Sequence, residues 1–161
     1  MSINCIRGLI ENAALSHKDK IAIKFNEQYI SYEKLFSKVN QVAFYLKELD
    51  LPKGSRIGIY SNKGIDQVIA ILAILSTDYV LVPLTKLLKS EQVEYIINDC
   101  NIECIITDKV KLESIEEINF TGSIISYETT HKDMPSFEEI YKYYNKEYKC
   151  NISGHQNAAI T

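Results

Sequence analysis

Proline, glycine and cysteine are scarce in this chain. Three Pro and six Gly among 161 residues exclude a collagen-like, low-complexity or disordered polypeptide. Four Cys are too few for a disulfide scaffold. The opening Met1-Ser2-Ile3-Asn4-Cys5 has neither the basic segment nor the long apolar segment of an export signal. The thiols therefore read as reduced, and a cytoplasmic location is expected. Long apolar runs are also missing. The most apolar stretch, Val68–Leu75, is too short to cross a bilayer and has Asp66 and Asp78 close by, so no membrane span is expected. Cationic excess is absent: 18 Lys and Arg face 21 Asp and Glu, a net charge of −3, which excludes a general nucleic-acid or polyanion binder. No solenoid-type repeat occurs. With 46% apolar and 24% charged residues, the length suffices for one packed domain.

The organising signal is an alternation of two hydrophobic periods. Ser31 is placed to cap a helix carrying Leu35, Val39, Val42, Ala43 and Leu46 on one stripe, and Leu51-Pro52-Lys53-Gly54 ends it. Arg56–Tyr60 has strand character. Asn62 is placed to cap the next helix, with Ile65, Val68, Ile69, Leu72 and Leu75 on one face. Tyr79–Val82 reads as a strand buried on both faces and closed by Pro83. Ser90 then caps a helix with Val93, Ile96, Ile97 and Cys100 in register. Cys104–Thr107 and Ser123–Ser126 read as further strands, and the charged stretch Lys109–Asn119 as a short helix or surface excursion. Upstream, Ile3–Leu15 looks helical, and Ile21–Phe25 with Tyr29-Ile30 forms a hairpin around Asn26-Glu27-Gln28. Downstream, Phe137–Lys149 predicts a helix with Phe137, Ile140, Tyr141 and Tyr144 on one side. Cys150–Gln156 is loop-like, and Asn157–Thr161 resembles the start of a strand. Strand and helix alternating at this spacing predict an α/β fold, a mostly parallel sheet with flanking helices.

No catalytic constellation is legible. Gly58 and Gly64 are not followed by Gly-Lys-Ser/Thr, so there is no Walker-type loop, and no GxGxxG follows the first strand. Tyr60-Ser61-Asn62-Lys63 reads as an ordinary capped helix start. Cys100 and Cys104 lack metal-knuckle spacing and read as buried thiols; Cys5 and Cys150 have no neighbouring base. His17, His131 and His155 each lie among polar residues as solvated side chains. Glu116-Glu117 and Glu138-Glu139 point about 100° apart on a helix and cannot face one substrate. Glu138, Glu139 and Glu147 cancel much of the charge around the Tyr- and Lys-rich stretch from Tyr141 to Lys149, which reads as an amphipathic helix. No catalytic, cofactor-binding or metal-ligating residue is assigned.

Four ordered segments resemble the N-terminal part of the adenylate-forming, AMP-binding ligases: acyl-CoA synthetases, peptide-synthetase adenylation domains and luciferases. Ile30-Ser31-Tyr32-Glu33-Lys34-Leu35, preceded by Lys20-Ile21-Ala22-Ile23, is similar to the family's first core motif. Pro52–Ile59 with Asn62 is similar to its "x-G-D-R-V-A-I" segment. Ala70–Leu75 running to Tyr79–Leu84 resembles "L-K-A-G-x-x-Y-V-P-L". Leu87–Cys100 ending in Ile105–Asp108 is closest to the acyl-CoA ligase branch. Asp78 stands where the family prefers Gly, and Lys86 where it often has Pro.

The resemblance implies an ATP-dependent, AMP-forming acid ligase that activates a carboxylate as its acyl adenylate and passes it to a thiol. ATP, Mg²⁺ and coenzyme A would serve the full-length family, and none of them this fragment. Ala158-Ala159-Ile160-Thr161 fits the "A-A-I-x" that precedes the family's phosphate-binding loop. The expectation is therefore that residues 1–161 are a partial N-terminal domain ending just before that loop and lacking the catalytic lysine, inactive alone. Its expected partners are the missing C-terminal part or further copies of itself, held through exposed apolar surface. The alternative is a non-catalytic α/β interaction or complementation module of a split ligase. An unrelated flavodoxin-like module would need a ligand loop after a strand, and none is visible.

Overall fold

The computed structural model describes residues 6–130 and 134–144. Helix α1 (Ile6–Ser16) leads into a hairpin of β1 (Ile21–Phe25) and β2 (Gln28–Ser31), and α2 (Tyr32–Glu48) follows directly. Then come β3 (Arg56–Tyr60), α3 (Ile65–Leu75), β4 (Val80–Leu84), α4 (Ser90–Asp99), β5 (Ile102–Thr107), α5 (Lys109–Glu116), β6 (Ser123–Ser126) and α6 (Phe137–Tyr143). The expected α/β class holds: β3 to β6 form a parallel four-stranded sheet in the order β4-β3-β5-β6. The β1–β2 hairpin is a separate antiparallel pair.

Helices cover both faces. On one, α2, α3 and α6 bury Leu46, Ile74 and Phe137 against Ile57, Ile106 and Ile125. On the other, α4 and α5 bury Val93, Ile97 and Ile115 against Tyr60, Val82 and Ile105. The handedness of βαβ crossovers explains this division. The chain steps from β3 to β4 in one direction through α3, and from β4 to β5 to β6 in the opposite direction through α4 and α5. Right-handed connections in opposite directions must use opposite faces.

Several local expectations need correction. Gly64, not Asn62, occupies the N-cap of α3, and it gives no side-chain cap; Asn62 turns away to Asp108. Ser90 is the first residue of α4 and Lys89 its N-cap, the Lys89 amide donating to Gln92 Oε1. Pro83 lies inside β4 instead of closing it. Val80 N–H donates to Ser55 O of the neighbouring strand, so by alternation the backbone of Leu81 and Pro83 faces outward from the sheet. A residue with no N–H fits such an edge position. The Ser31 cap holds, its hydroxyl accepting from Lys34 N–H. The stretch from Lys109 yields a helix to Glu116, capped by Asp108. Asp78 needs no glycine-like backbone; its carboxylate takes Lys47 Nζ at 2.7 Å. α6 is described to Tyr143, with Tyr144 as its C-cap. The remainder of that helical reading, the loop Cys150–Gln156 and the strand start at Asn157 lie outside the described residues, as do Cys5, Cys150, His131 and His155.

Candidate functional site

Parallel sheets place ligands at the carboxyl ends of their strands, and the polar residues of this chain converge there. β3 ends in Tyr60, and β5 ends in Thr107, its direct register partner. The Thr107 hydroxyl donates to Tyr60 O at 2.7 Å, tying the two strand ends together. Asp108 follows and is buried. Its Oδ2 accepts from Asn62 N–H at 2.6 Å and Asn62 Nδ2 at 3.0 Å, while its Oδ1 accepts from Lys111 N–H at 2.8 Å. One carboxylate thus caps α5 and clamps the turn leaving β3. At the end of β6, Tyr127 OH lies 3.0 Å from Ser61 Oγ, which accepts from Gln67 Nε2 at 3.3 Å. Burial pushes the Tyr127 phenol above its ordinary range. Glu128 accepts from Lys109 N–H at 2.9 Å.

A groove of about 450 Å³ opens beside this cluster, between the tip of the hairpin and the start of α3. Asn62, Lys63, Asp66, Asp108 and Tyr127 contribute to its walls. An adjoining groove of about 530 Å³ shares Asp66 and adds Lys34 and Lys38 from α2. Burial raises the Asp66 pKa, although Lys38 opposes this; Tyr141 OH, 3.5 Å away, donates to its Oδ1.

The cluster lacks catalytic chemistry of its own. Ser61 Oγ has a phenol and an amide as neighbours, neither a base at neutral pH, so it is not an activated nucleophile. Among the described residues no three His, Cys, Asp or Glu side chains group to hold a metal ion. The Asp108 carboxylate, the most buried one here, already accepts three N–H groups.

The residues singled out in the sequence are scattered. Cys104 is fully buried in β5, its thiol pushed up to about 12 by burial, and Cys100 is half-buried at the end of α4. His17 is exposed after α1. Glu117 accepts from Ser90 Oγ, Glu138 from Thr129, and Glu139 closes a capping box with Ser136. The Asn62–Asp108 clamp was not anticipated. Its only signal was that two polar residues, 46 positions apart, each follow a parallel strand.

The order of elements has a counterpart among known proteins. The family model described as AMP-binding enzyme matches residues 10–159. The chain belongs to the AMP-binding enzyme family. It is 30% identical over 120 residues to tyrocidine synthase 1 of Brevibacillus parabrevis, covering 74% of this chain and 11% of that protein. It is 26% identical over 129 residues to surfactin synthase subunit 3 of Bacillus subtilis (strain 168), covering 80% of this chain and 10% of that one. Among solved structures, the anthranilate CoA ligase AuaEII in complex with anthranoyl-AMP superposes with a TM-score of 0.87 at 19% identity, covering 96% of this chain and 31% of that one. The coronafacic acid ligase of Pectobacterium brasiliense gives 0.86 at 24% identity, covering 97% and 33%. These structural likenesses carry the fold, that of the N-terminal region of adenylate-forming ligases. The chain spans about a tenth of those synthases and about a third of those ligases. No helix among the described residues is long and apolar enough to cross a membrane.

Proposed function

We propose that this chain is the N-terminal part of an ATP-dependent, AMP-forming acid ligase of the acyl-CoA branch, one that activates a carboxylate as its acyl adenylate for thioester formation. The match to the family over residues 10–159 carries this reading. The part played by these residues is scaffolding. They supply a parallel sheet whose strand ends are locked by Asp108 and Thr107. A reaction surface set against that sheet would hold its geometry without rearranging, which is what preorganised catalysis requires. ATP, Mg²⁺ and the acceptor thiol belong in this proposal to the remainder of the ligase. The 161 residues alone are accordingly inactive.

Acid-dependent ATP–pyrophosphate exchange tests this in two arms. One uses the 161-residue chain alone; the other adds the polypeptide encoded immediately downstream, in cis or in trans. Background exchange in the first arm and exchange with some carboxylic acid of a panel in the second are expected. Exchange by the chain alone, or none from any acid in the second arm, would overturn the proposal.

A further inference from the structure

Helix α6 has seven residues, and a helix that short does not hold itself together in water. Its neighbours hold it. Phe137 and Ile140 enter the core, and Tyr141 ties the far end to two other helices. The Tyr141 carbonyl accepts from Gln41 Nε2 of α2 at 3.2 Å, in the last turn, where a carbonyl has no partner within its own helix. Lys38 Nζ, also from α2, stands 4.2 Å from the centroid of the Tyr141 ring. The Tyr141 hydroxyl reaches Asp66 Oδ1, in the first turn of α3, at 3.5 Å. Three helices thus meet at one phenol, set between a cation and an acid.

Asp66 is the member of this group that titrates. Burial pushes the Tyr141 phenol up, so it stays protonated at any ordinary pH. The half-buried Asp66 carboxyl has few favourable neighbours. Lys38 supports its charge; Glu128, after β6, and Glu138, in the first turn of α6, oppose it. Lys34, Lys63, Glu27 and Asp108 are the other charged groups along the two grooves that Asp66 shares, and Tyr127 is a second neutral phenol there. Opening of α6 would return water to the carboxyl and carry Glu138 away. Both changes favour the ionised acid and do little for the neutral one. The one loss to the ionised form is the bond from Tyr141, which at 3.5 Å is long and weak. We propose that Asp66, Tyr141 and Lys38 form a proton-operated latch on α6, fast in acid and loosened as Asp66 ionises. Because the folded value of Asp66 is raised above 3.8, the latch is intact below 3.8 and weakens as pH rises through the folded value. The acid that caps α6 acts in the opposite sense: Glu139 accepts from Ser136 N–H and Oγ, and its ionised form accepts better.

Amide hydrogen exchange of the 161-residue chain at pH 4 and pH 7, corrected for intrinsic rates, tests this. The probes are Ile140 N–H, bonded to Ser136 O, and Tyr144 N–H, bonded to Ile140 O. The ratio of their protection to that of Ile106 in β5 should fall at least about threefold from pH 4 to pH 7. Asp66→Asn should abolish the fall, and Lys38→Gln, which removes the supporting cation, should deepen it. A parent ratio that holds or rises with pH would overturn the latch, since opening would then be global or governed by Glu139. So would a fall that survives Asp66→Asn, or one that Lys38→Gln does not deepen.

Discussion

Gly122 is where a single methyl group should do the most damage for its size. A Cβ built there would stand 2.3 Å from Glu103 O, 2.9 Å from Glu103 C and 2.4 Å from Phe120 Cζ. The Phe120 ring can rotate away. Glu103 gives way less easily, because its carbonyl is backbone of β5, the strand that pairs with β3 and β6. Ordinary contact would require β6 to draw back from β5 by about 1 Å, loosening the pairing that begins at Cys104 and Ser123. Overpacking of this kind costs about 3 kcal/mol, at the upper end of what inserted methylenes usually cost. For a chain of this length that lowers the melting temperature by roughly 6–12 °C. Urea unfolding of Gly122→Ala, followed by far-UV circular dichroism, measures it. The reasoning fails if the variant lies within about 0.5 kcal/mol of the parent, the range of an ordinary surface change. It also fails if adding Phe120→Leu restores the loss, since the ring and not the β5 backbone would then be the obstacle.

Asp108→Ala removes the acceptor of three N–H groups and should cost about 2–3 kcal/mol in urea unfolding; a loss under 0.5 kcal/mol would show that the clamp is dispensable. Burial raises the pKa of Asp66 above its ordinary value of 3.8. The fold therefore favours the protonated acid, and the stability associated with it is present below 3.8 and lost as pH rises through the folded value. Asp66→Asn should accordingly unfold at higher urea than the parent at pH 7 and at equal urea near pH 3, and a variant less stable at pH 7 would contradict this. In the native chain Cys104 should resist iodoacetamide at pH 8, because its thiol is fully buried and pushed up to about 12; peptide mapping that finds it alkylated without unfolding would refute its placement.

Local chemistry made much of this fold legible. The stripe Leu35-Val39-Val42-Ala43-Leu46 is fully buried in α2 because a 3.6-residue period puts those side chains on one face whatever the partner. Ser31 caps that helix because capping is decided within three residues. The alternation of strands and helices fixed a parallel sheet, and the ordered segments from Ile30 to Asp108 carried the family resemblance. Other features depend on residues far apart in the chain. Asn62 looked like a helix cap, but the pairing of β3 with β5 brings the Asp108 carboxylate within 3.0 Å of it. Pro83 looked like a strand terminator; the order β4-β3-β5-β6 puts it on an outward-facing edge position where a missing N–H costs nothing. Gly122 drew no notice, because only the approach of β6 to β5 leaves no room for a side chain there. Periodicity and capping act over a turn or two of chain. Strand order and close backbone approach are settled by crossover handedness and packing between distant segments, which a linear pattern does not encode.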